Sequence, residues 1–107
     1  MTFDDRLAAR IRSQLGKTKG LTEKKMFGGI GFLLNGNIAC AVRKDEMLVR
    51  VVPDETDDAL KKKHTRLFGT RPMKGWILVA PEGLRTEKAV AKWIEIGVSY
   101  AASLPPK

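Results

Sequence analysis

Residues 26–52 read MFGGIGFLLNGNIACAVRKDEMLVRVV, and this stretch decides the fold. It contains three runs rich in apolar and β-branched residues, at 26–34, 38–43 and 47–52. The first break is Asn35-Gly36-Asn37, in which Asn-Gly tolerates the positive φ of a type I′ turn. The second is Lys44-Asp45-Glu46. Because short apolar runs joined by tight turns are typical of a meander, the stretch predicts three consecutive antiparallel strands.

Both faces of these predicted strands carry apolar side chains. Ile30 and Phe32 share one face of the first strand, and we expect that face to pack on helices. The other face bears Phe27, Leu33 and Leu48, which must be either covered or exposed. An exposed apolar face would favour a partner, for which a second copy of the chain is the simplest occupant.

The flanking segments predict helices and two further strands. Apolar residues recur every four positions from Phe3 to Leu15, which indicates an amphipathic helix ended by Gly16. Acids precede bases in residues 54–64, which is the charge order that a helix dipole favours. The remaining predicted elements are a basic connector over 17–25, a short strand beginning at 67–68, a strand over 74–80 and a final helix from about residue 84–86.

The predicted order is helix, three strands, helix, two strands, helix, around an antiparallel sheet. This order is typical of an α+β two-layer fold. The 107 residues predict a single domain, 1–107, with enough buried surface for one core. One cysteine excludes a disulfide framework within the chain. The N-terminal segment has no apolar run of a secretory signal, so we expect a cytoplasmic protein that does not enter the membrane.

Motifs for catalysis and cofactor binding do not emerge from the sequence. Gly28, Gly29 and Gly31 lack dinucleotide-loop spacing, because Leu34 stands where the third glycine is required. They instead predict a bulge or a close approach between a helix and the sheet. Cys40 lies in an apolar strand and is predicted to be a buried, inert thiol. We therefore expect no cofactor, no metal and no enzymatic activity.

A basic segment is the sharpest feature of a chain whose net charge is +8. Residues 61–74, KKKHTRLFGTRPMK, contain six bases and no acid. Six such side chains are candidates for contacts with nucleic-acid phosphates, and Phe68 is a candidate for stacking on a base. The alternative is a solvated helix end and loop. The six bases are Lys61, Lys62, Lys63, Arg66, Arg71 and Lys74.

Two motifs resemble the N-terminal domain of the TfoX/Sxy family. The first runs from Lys25 through Met26-Phe27-Gly28-Gly29 to Phe32, and the second is Arg71-Pro72-Met73-Lys74-Gly75-Trp76. The resemblance covers nearly the whole chain and implies a two-layer fold of the secretion-chaperone-like kind, with the element order given above. It implies structural roles for the motif residues Met26, Phe27, Gly28, Gly29, Gly31, Pro72, Gly75 and Trp76.

The family's namesakes are bacterial regulators of competence for DNA uptake, which are thought to act with the transcription machinery and carry a second, C-terminal domain. The resemblance implies no catalytic residues. We therefore expect a non-enzymatic regulatory domain that binds a protein partner, such as the transcription machinery or a second copy of itself. The alternatives are a nucleic-acid-binding module that uses residues 61–74, and a small-ligand binder or enzyme with a pocket near the glycine strand and residues 71–76.

Overall fold

A computed structural model describes residues 5–16, 18–26, 28–62, 64–67 and 75–106. Within these residues the chain forms α-helices, short 3-10 helices (η) and strands. In chain order they are α1 (Asp5–Leu15), β1 (Leu21–Met26), β2 (Gly29–Leu34), β3 (Asn37–Arg43), β4 (Glu46–Arg50), η1 (Pro53–Glu55), α2 (Thr56–Leu60), β5 (Thr65–Leu67), β6 (Trp76–Val79), η2 (Pro81–Leu84) and α3 (Glu87–Ser103).

The strands form one six-stranded antiparallel sheet in the order β1-β2-β3-β4-β6-β5. The predicted meander is confirmed as β2, β3 and β4. Asn35 and Gly36 adopt φ values of 53° and 85°, as the Asn-Gly turn predicts, and Lys44 adopts 57°. The predicted α+β fold is therefore confirmed.

The helices cover one face of the sheet, which we call the inner face. Leu7, Ile11 and Leu15 of α1 pack in one buried cluster with Val90, Trp93 and Ile94 of α3 and with the inner-face side chains of the strands. Helix α3 lies directly on β3. At Gly97 the two backbones are so close that a Cβ atom there would overlap the carbonyl oxygen of Ala39. The close approach of a helix to the sheet is thus at Gly97, whereas Gly29 and Gly31, where it was expected, approach neighbouring strands.

Three predicted elements need correction. The prediction of a basic connector over 17–25 was wrong, because residues 21–26 form the edge strand β1. This strand pairs with β2 from Leu21↔Leu34 to Met26↔Gly29. The chain turns at Gly28, whose φ is 75°, so that the predicted strand over 26–34 is divided between β1 and β2. The helix expected over 54–64 is shorter and consists of η1 and α2.

The outer face of the sheet is partly buried. Ala41, Leu48 and Leu78 stand side by side on β3, β4 and β6 and form a small cluster of their own. Leu48 is 0% exposed, whereas Leu33 is half-buried. Phe27, the third residue expected on this face, lies outside the described residues. The side chains at the centre of the outer face are thus buried, whereas Leu33 on β2 is partly exposed.

Hydrogen bonds join the residues that follow β4 to the residue that precedes β6. The backbone nitrogen of Val51 donates to the carbonyl oxygen of Gly75 at 2.9 Å. The Gly75 nitrogen in turn donates to Oγ1 of the buried Thr56 at 2.8 Å, and this hydroxyl donates to the carbonyl oxygen of Pro53 at 2.7 Å. These bonds hold the start of η1 and α2 against the entry to β6.

Candidate functional site

In the basic segment 61–74, each basic residue that the structure describes contacts another side chain. The guanidinium of Arg66 on β5 reaches across β6 and forms a two-pronged ion pair with Glu46 of β4, with 2.8 Å between Nη2 and Oε1. The Glu46 side chain is 11% exposed and that of Arg66 is 55% exposed. The hydrogen bonds that Arg66 donates to Glu46 are the main cause that raises the pKa of Arg66. Arg66 therefore compensates a buried carboxylate.

The lysines of this segment have weaker attachments. Lys61 lies 3.5 Å from a carboxylate oxygen of Asp58, and both side chains are more than three-quarters exposed. The Lys62 ammonium lies 5.9 Å from the centroid of the Trp93 ring. Exposed pairs of this kind contribute little and leave the ammonium groups accessible. Lys63, Arg71 and Lys74 lie outside the described residues, as does Phe68.

The glycines of the family motifs occupy crowded or conformationally demanding positions. A Cβ atom at Gly29 would overlap the carbonyl oxygen of Val42 on the neighbouring strand. Gly75 has a φ of 94°, which disfavours any residue with a side chain. A Cβ atom at Gly31 would meet the side chain of Met26, which covers that glycine. Pro72 lies outside the described residues, and Trp76 belongs to a different cluster.

An aromatic cluster surrounds Arg50 at the end of β4. Its guanidinium carbon lies 4.5 Å from the ring centroid of Trp76, which is directly opposite on β6, and 5.2 Å from that of Tyr100 on α3. All three side chains are half-buried. No carboxylate among the described residues pairs with Arg50. The two rings thus hold the guanidinium in place and leave its N–H donors for an acceptor from outside.

A groove of about 450 Å³ adjoins this Arg50 cluster. It lies between α3 and the residues that follow β4, and Tyr100 belongs to both the cluster and the groove wall. Val52 and Ile96 supply apolar surface, and the polar part of the wall consists of Ser99, Ser103, Glu55, Glu95 and Lys92. Apolar surface with a few polar groups at its edge is typical of a site that binds a side chain or a small ligand.

Only one member of this cluster stands out in the sequence. Trp76 was noted as a motif residue with a structural role, whereas Arg50 and Tyr100 were not singled out. Both lie far from Trp76 in the chain, and only the β4–β6 register and the docking of α3 bring them together. The one sequence signal is the basic residue within the apolar run 47–52, where alternation places it on the opposite face from Val49 and Val51.

The described residues show two further properties of the chain. None of their helices is long and apolar enough to cross a membrane. Across the same ranges, no cluster of three or more His, Cys, Asp or Glu side chains is arranged to hold a metal ion. Cys40 is buried as predicted, and burial raises the pKa of its thiol to about 12.

Comparison with known proteins identifies the family. No curated protein and no solved structure gives a significant match to the chain. A family model described as the TfoX N-terminal domain matches residues 13–101, which include every strand of the sheet, most of α3 and only the last turn of α1. The chain therefore belongs to the TfoX N-terminal domain family.

Proposed function

We propose that this chain is a regulatory domain without catalytic activity that binds a partner protein through the Arg50 cluster and the adjoining groove. Membership of the TfoX N-terminal domain family supports a role related to the regulation of competence. The observation that carries the interaction is the combination of Arg50, Trp76 and Tyr100, all half-buried and in contact. Tryptophan, tyrosine and arginine are the residues most enriched where binding energy concentrates in protein interfaces.

Arg50 favours a carboxylate of the partner, whereas Glu55 and Glu95 on the groove wall, only one of which Lys92 can balance, favour an uncharged side chain in the groove itself. Arg50 is held by two rings and has no carboxylate partner among the described residues. The chain as a whole carries a net charge of +8, which attracts acidic proteins over a distance of about one Debye length. A carboxylate of the partner would pair with Arg50, and an apolar side chain beside it would enter the groove between Val52 and Ile96.

Selection from a displayed peptide library tests this proposal with the full chain as bait. We expect enriched peptides to combine acidic and aliphatic residues. Replacement of Arg50 by alanine should weaken their binding about 30-fold, which corresponds to the loss of one strongly contributing interface residue. The matched control is Lys24→Ala, which removes the same charge from the exposed face of β1 and should leave the affinity unchanged.

Several outcomes would count against the proposal. Peptides that bind the Arg50→Ala variant and the native chain equally would place the interaction elsewhere. Selection of basic peptides would contradict the charge argument. Sedimentation adds a second check, because a dimer that dissociates in the Arg50→Ala variant would mean that the site is occupied by a second copy of the chain instead.

Nucleic-acid binding through residues 61–74 is the competing function. Lys61 and Lys62 are exposed and available for phosphate contacts, whereas Arg66 is engaged with Glu46. A fluorescence titration with single-stranded DNA at two salt concentrations separates the two functions. If DNA binds tightly with a steep salt dependence, and Lys61→Ala with Lys62→Ala abolishes binding, the basic segment carries the function.

A further inference from the structure

The groove beside the Arg50 cluster continues into a second cavity of about 260 Å³. The two cavities share Glu55 and Ile96 and therefore adjoin each other. Together they run between α3 and residues 51–62, and we call them the extended groove. The lining residues of the second cavity are Val51, Glu55, Asp58, Ala59, Lys62 and Ile96.

Two contacts of α3 mark the ends of the extended groove. At one end, Tyr100 lies beside Arg50. At the other end, the ammonium of Lys62 lies 5.9 Å from the centroid of the Trp93 ring. Trp93 and Tyr100 are about two helical turns apart, and the wall residue Ser103 lies almost one turn further on. At a rise of 1.5 Å per residue, the groove is about 15 Å long, which is the length of about three turns of a helix.

The walls of the extended groove favour a helix over an extended segment as its occupant. An extended peptide needs partners for its backbone N–H and C=O groups, and it finds them at the edge of a sheet. The outermost strands of this sheet are β1 and β5, and none of the lining residues belongs to either. Most of the lining residues belong to α2 and α3, whose backbone groups are engaged within these helices. A helix satisfies its own backbone and needs only an apolar surface to pack on.

The charges along the extended groove balance except at Arg50. Lys61 lies 3.5 Å from Asp58 and offsets one of the three acids, and the two lysines of the lining offset the others. Arg50 is the cation that remains at the Tyr100 end, where no carboxylate among the described residues pairs with it. The groove therefore suits an apolar surface, and Arg50 gives it a direction. The charged lining residues are Glu55, Asp58, Lys62, Lys92 and Glu95.

We propose that the extended groove binds an amphipathic helix of the partner protein, about three turns long, with its C-terminal end at Arg50. This inference rests on the proposed function, because it takes the same site as the place where the partner binds. The last carbonyl groups of a helix lack partners within the helix and carry a partial negative charge. The guanidinium of Arg50 donates to them, whereas a reversed helix would direct its positive end at Arg50. The apolar face of the helix packs on Val52 and Ile96.

NMR of the full chain with a designed helix tests the inference. The probe is an acetylated and amidated peptide of about 14 residues, with leucines along one helical face and alanine and glutamine elsewhere. We expect it to gain helicity on binding, as measured by circular dichroism. A nitroxide at its C-terminal end should broaden the amide signals of Arg50 and Tyr100, and a nitroxide at its N-terminal end should broaden those of Ala59 and Lys62.

Three variants sharpen the test. In Arg50→Ala, either label should broaden the signals at both ends of the groove, because the preference for one direction is lost. The affinity for this uncharged probe should fall only about threefold, the contribution of one cation to a helix end. Ser99→Trp fills the groove from an exposed position of α3 and should abolish binding. The matched control, Lys24→Ala, removes an exposed charge on β1 and should change neither direction nor affinity.

The possible failures have different meanings. A probe that does not bind, that binds Ser99→Trp equally well, or that lies in the reverse direction overturns the inference. Library peptides that need Arg50 but bind without gaining helicity also overturn it, and they leave the proposed function intact. If neither the probe nor any library peptide binds, both the inference and the proposed function fail.

Discussion

At the scale of the single residue, two glycines of β2 differ in what surrounds them. A Cβ atom at Gly29 would overlap the Val42 carbonyl oxygen and lie 2.9 Å from its carbonyl carbon, both in the backbone of β3. A Cβ atom at Gly31 would meet only the flexible end of the Met26 side chain. A backbone neighbour can yield only if the two strands separate, whereas a methionine can change rotamer.

The contrast predicts different costs for the same substitution. Gly29→Ala should reduce the free energy of unfolding by about 2–3 kcal/mol, the usual cost of overpacking. Gly31→Ala should cost less than about 1 kcal/mol, since alanine also restricts the unfolded chain. Urea unfolding followed by tryptophan fluorescence measures both values. Equal losses in the two variants would show that Met26 is held as rigidly as the backbone of β3.

Some contacts of the arginines could not be predicted from the sequence. Gly28 and Gly29 were not assigned to a phosphate loop because of their spacing, and Gly29 is found at the start of strand β2. Arg50 approaches Tyr100 only after α3 has docked on the sheet, and Arg10 approaches Glu87 only after α1 has packed beside α3. Contacts between distant segments depend on register and packing, which short-range spacing does not encode.

At the scale of the element, β1 shows what the amphipathic pattern misses. Its sequence LTEKKM has exposed residues at its four central positions and partly buried ones at its two ends. A strand is predicted from alternating apolar and polar residues, which β1 lacks. It forms a strand because its backbone pairs with β2. Charged side chains, lysine above all, are common on edge strands, where they discourage pairing with other chains. The strands of the meander are buried and were correctly predicted.

An ion pair attaches β1 to the helix layer and has a defined pH dependence. Arg12 of α1 donates two hydrogen bonds to Glu23 of β1, at 2.7 and 2.8 Å. These bonds lower the pKa of Glu23, against a smaller opposing effect of burial. Because the folded pKa lies below the unfolded one, the pair stabilises the protein above the unfolded value of about 4.3. This stabilisation is lost as the pH falls through the folded pKa.

The expected result is a pH-dependent difference between the native chain and Arg12→Ala. At pH 7 and low salt, the variant should be less stable by under about 1 kcal/mol, because both side chains are partly exposed. The difference should vanish in acid, once Glu23 is protonated. NMR titration of the Glu23 carboxyl should show its pKa rising in Arg12→Ala. A neighbouring substitution, Lys24→Ala, should leave it nearly unchanged, and an unaltered pKa in Arg12→Ala would contradict the assignment.

At the scale of the whole molecule, one core joins the helices to the sheet. The main buried cluster includes α1, α2 and α3 together with inner-face residues of β2, β3, β4 and β6. Cys40 lies within it on β3, at 0% exposure. A single shared core of this size is typical of a domain that unfolds cooperatively. The thiol therefore reports on opening of the whole fold.

Thiol reactivity gives the corresponding prediction. Burial raises the pKa of Cys40 to about 12, so that almost no thiolate forms near neutral pH and reagents are excluded. Modification by a disulfide reagent at pH 8 should be slower than in the denatured chain by a factor on the order of 10³ or more. Absorbance of the released thiol follows the rate. Rapid modification without denaturant would indicate local opening around β3 instead of cooperative unfolding.

The return of the chain from Val51 to Gly75 has a consequence for the order of folding. The ladders β1–β2, β2–β3, β3–β4 and β5–β6 each join strands that are consecutive in the chain, whereas β4–β6 joins strands separated by η1, α2 and β5. Closing that long loop costs entropy before any contact compensates for it. The consecutive hairpins can form early and locally. The topology therefore predicts that closure of β6 onto β4 limits the folding rate, and that the hydrogen bond from Val51 to Gly75 forms in this step.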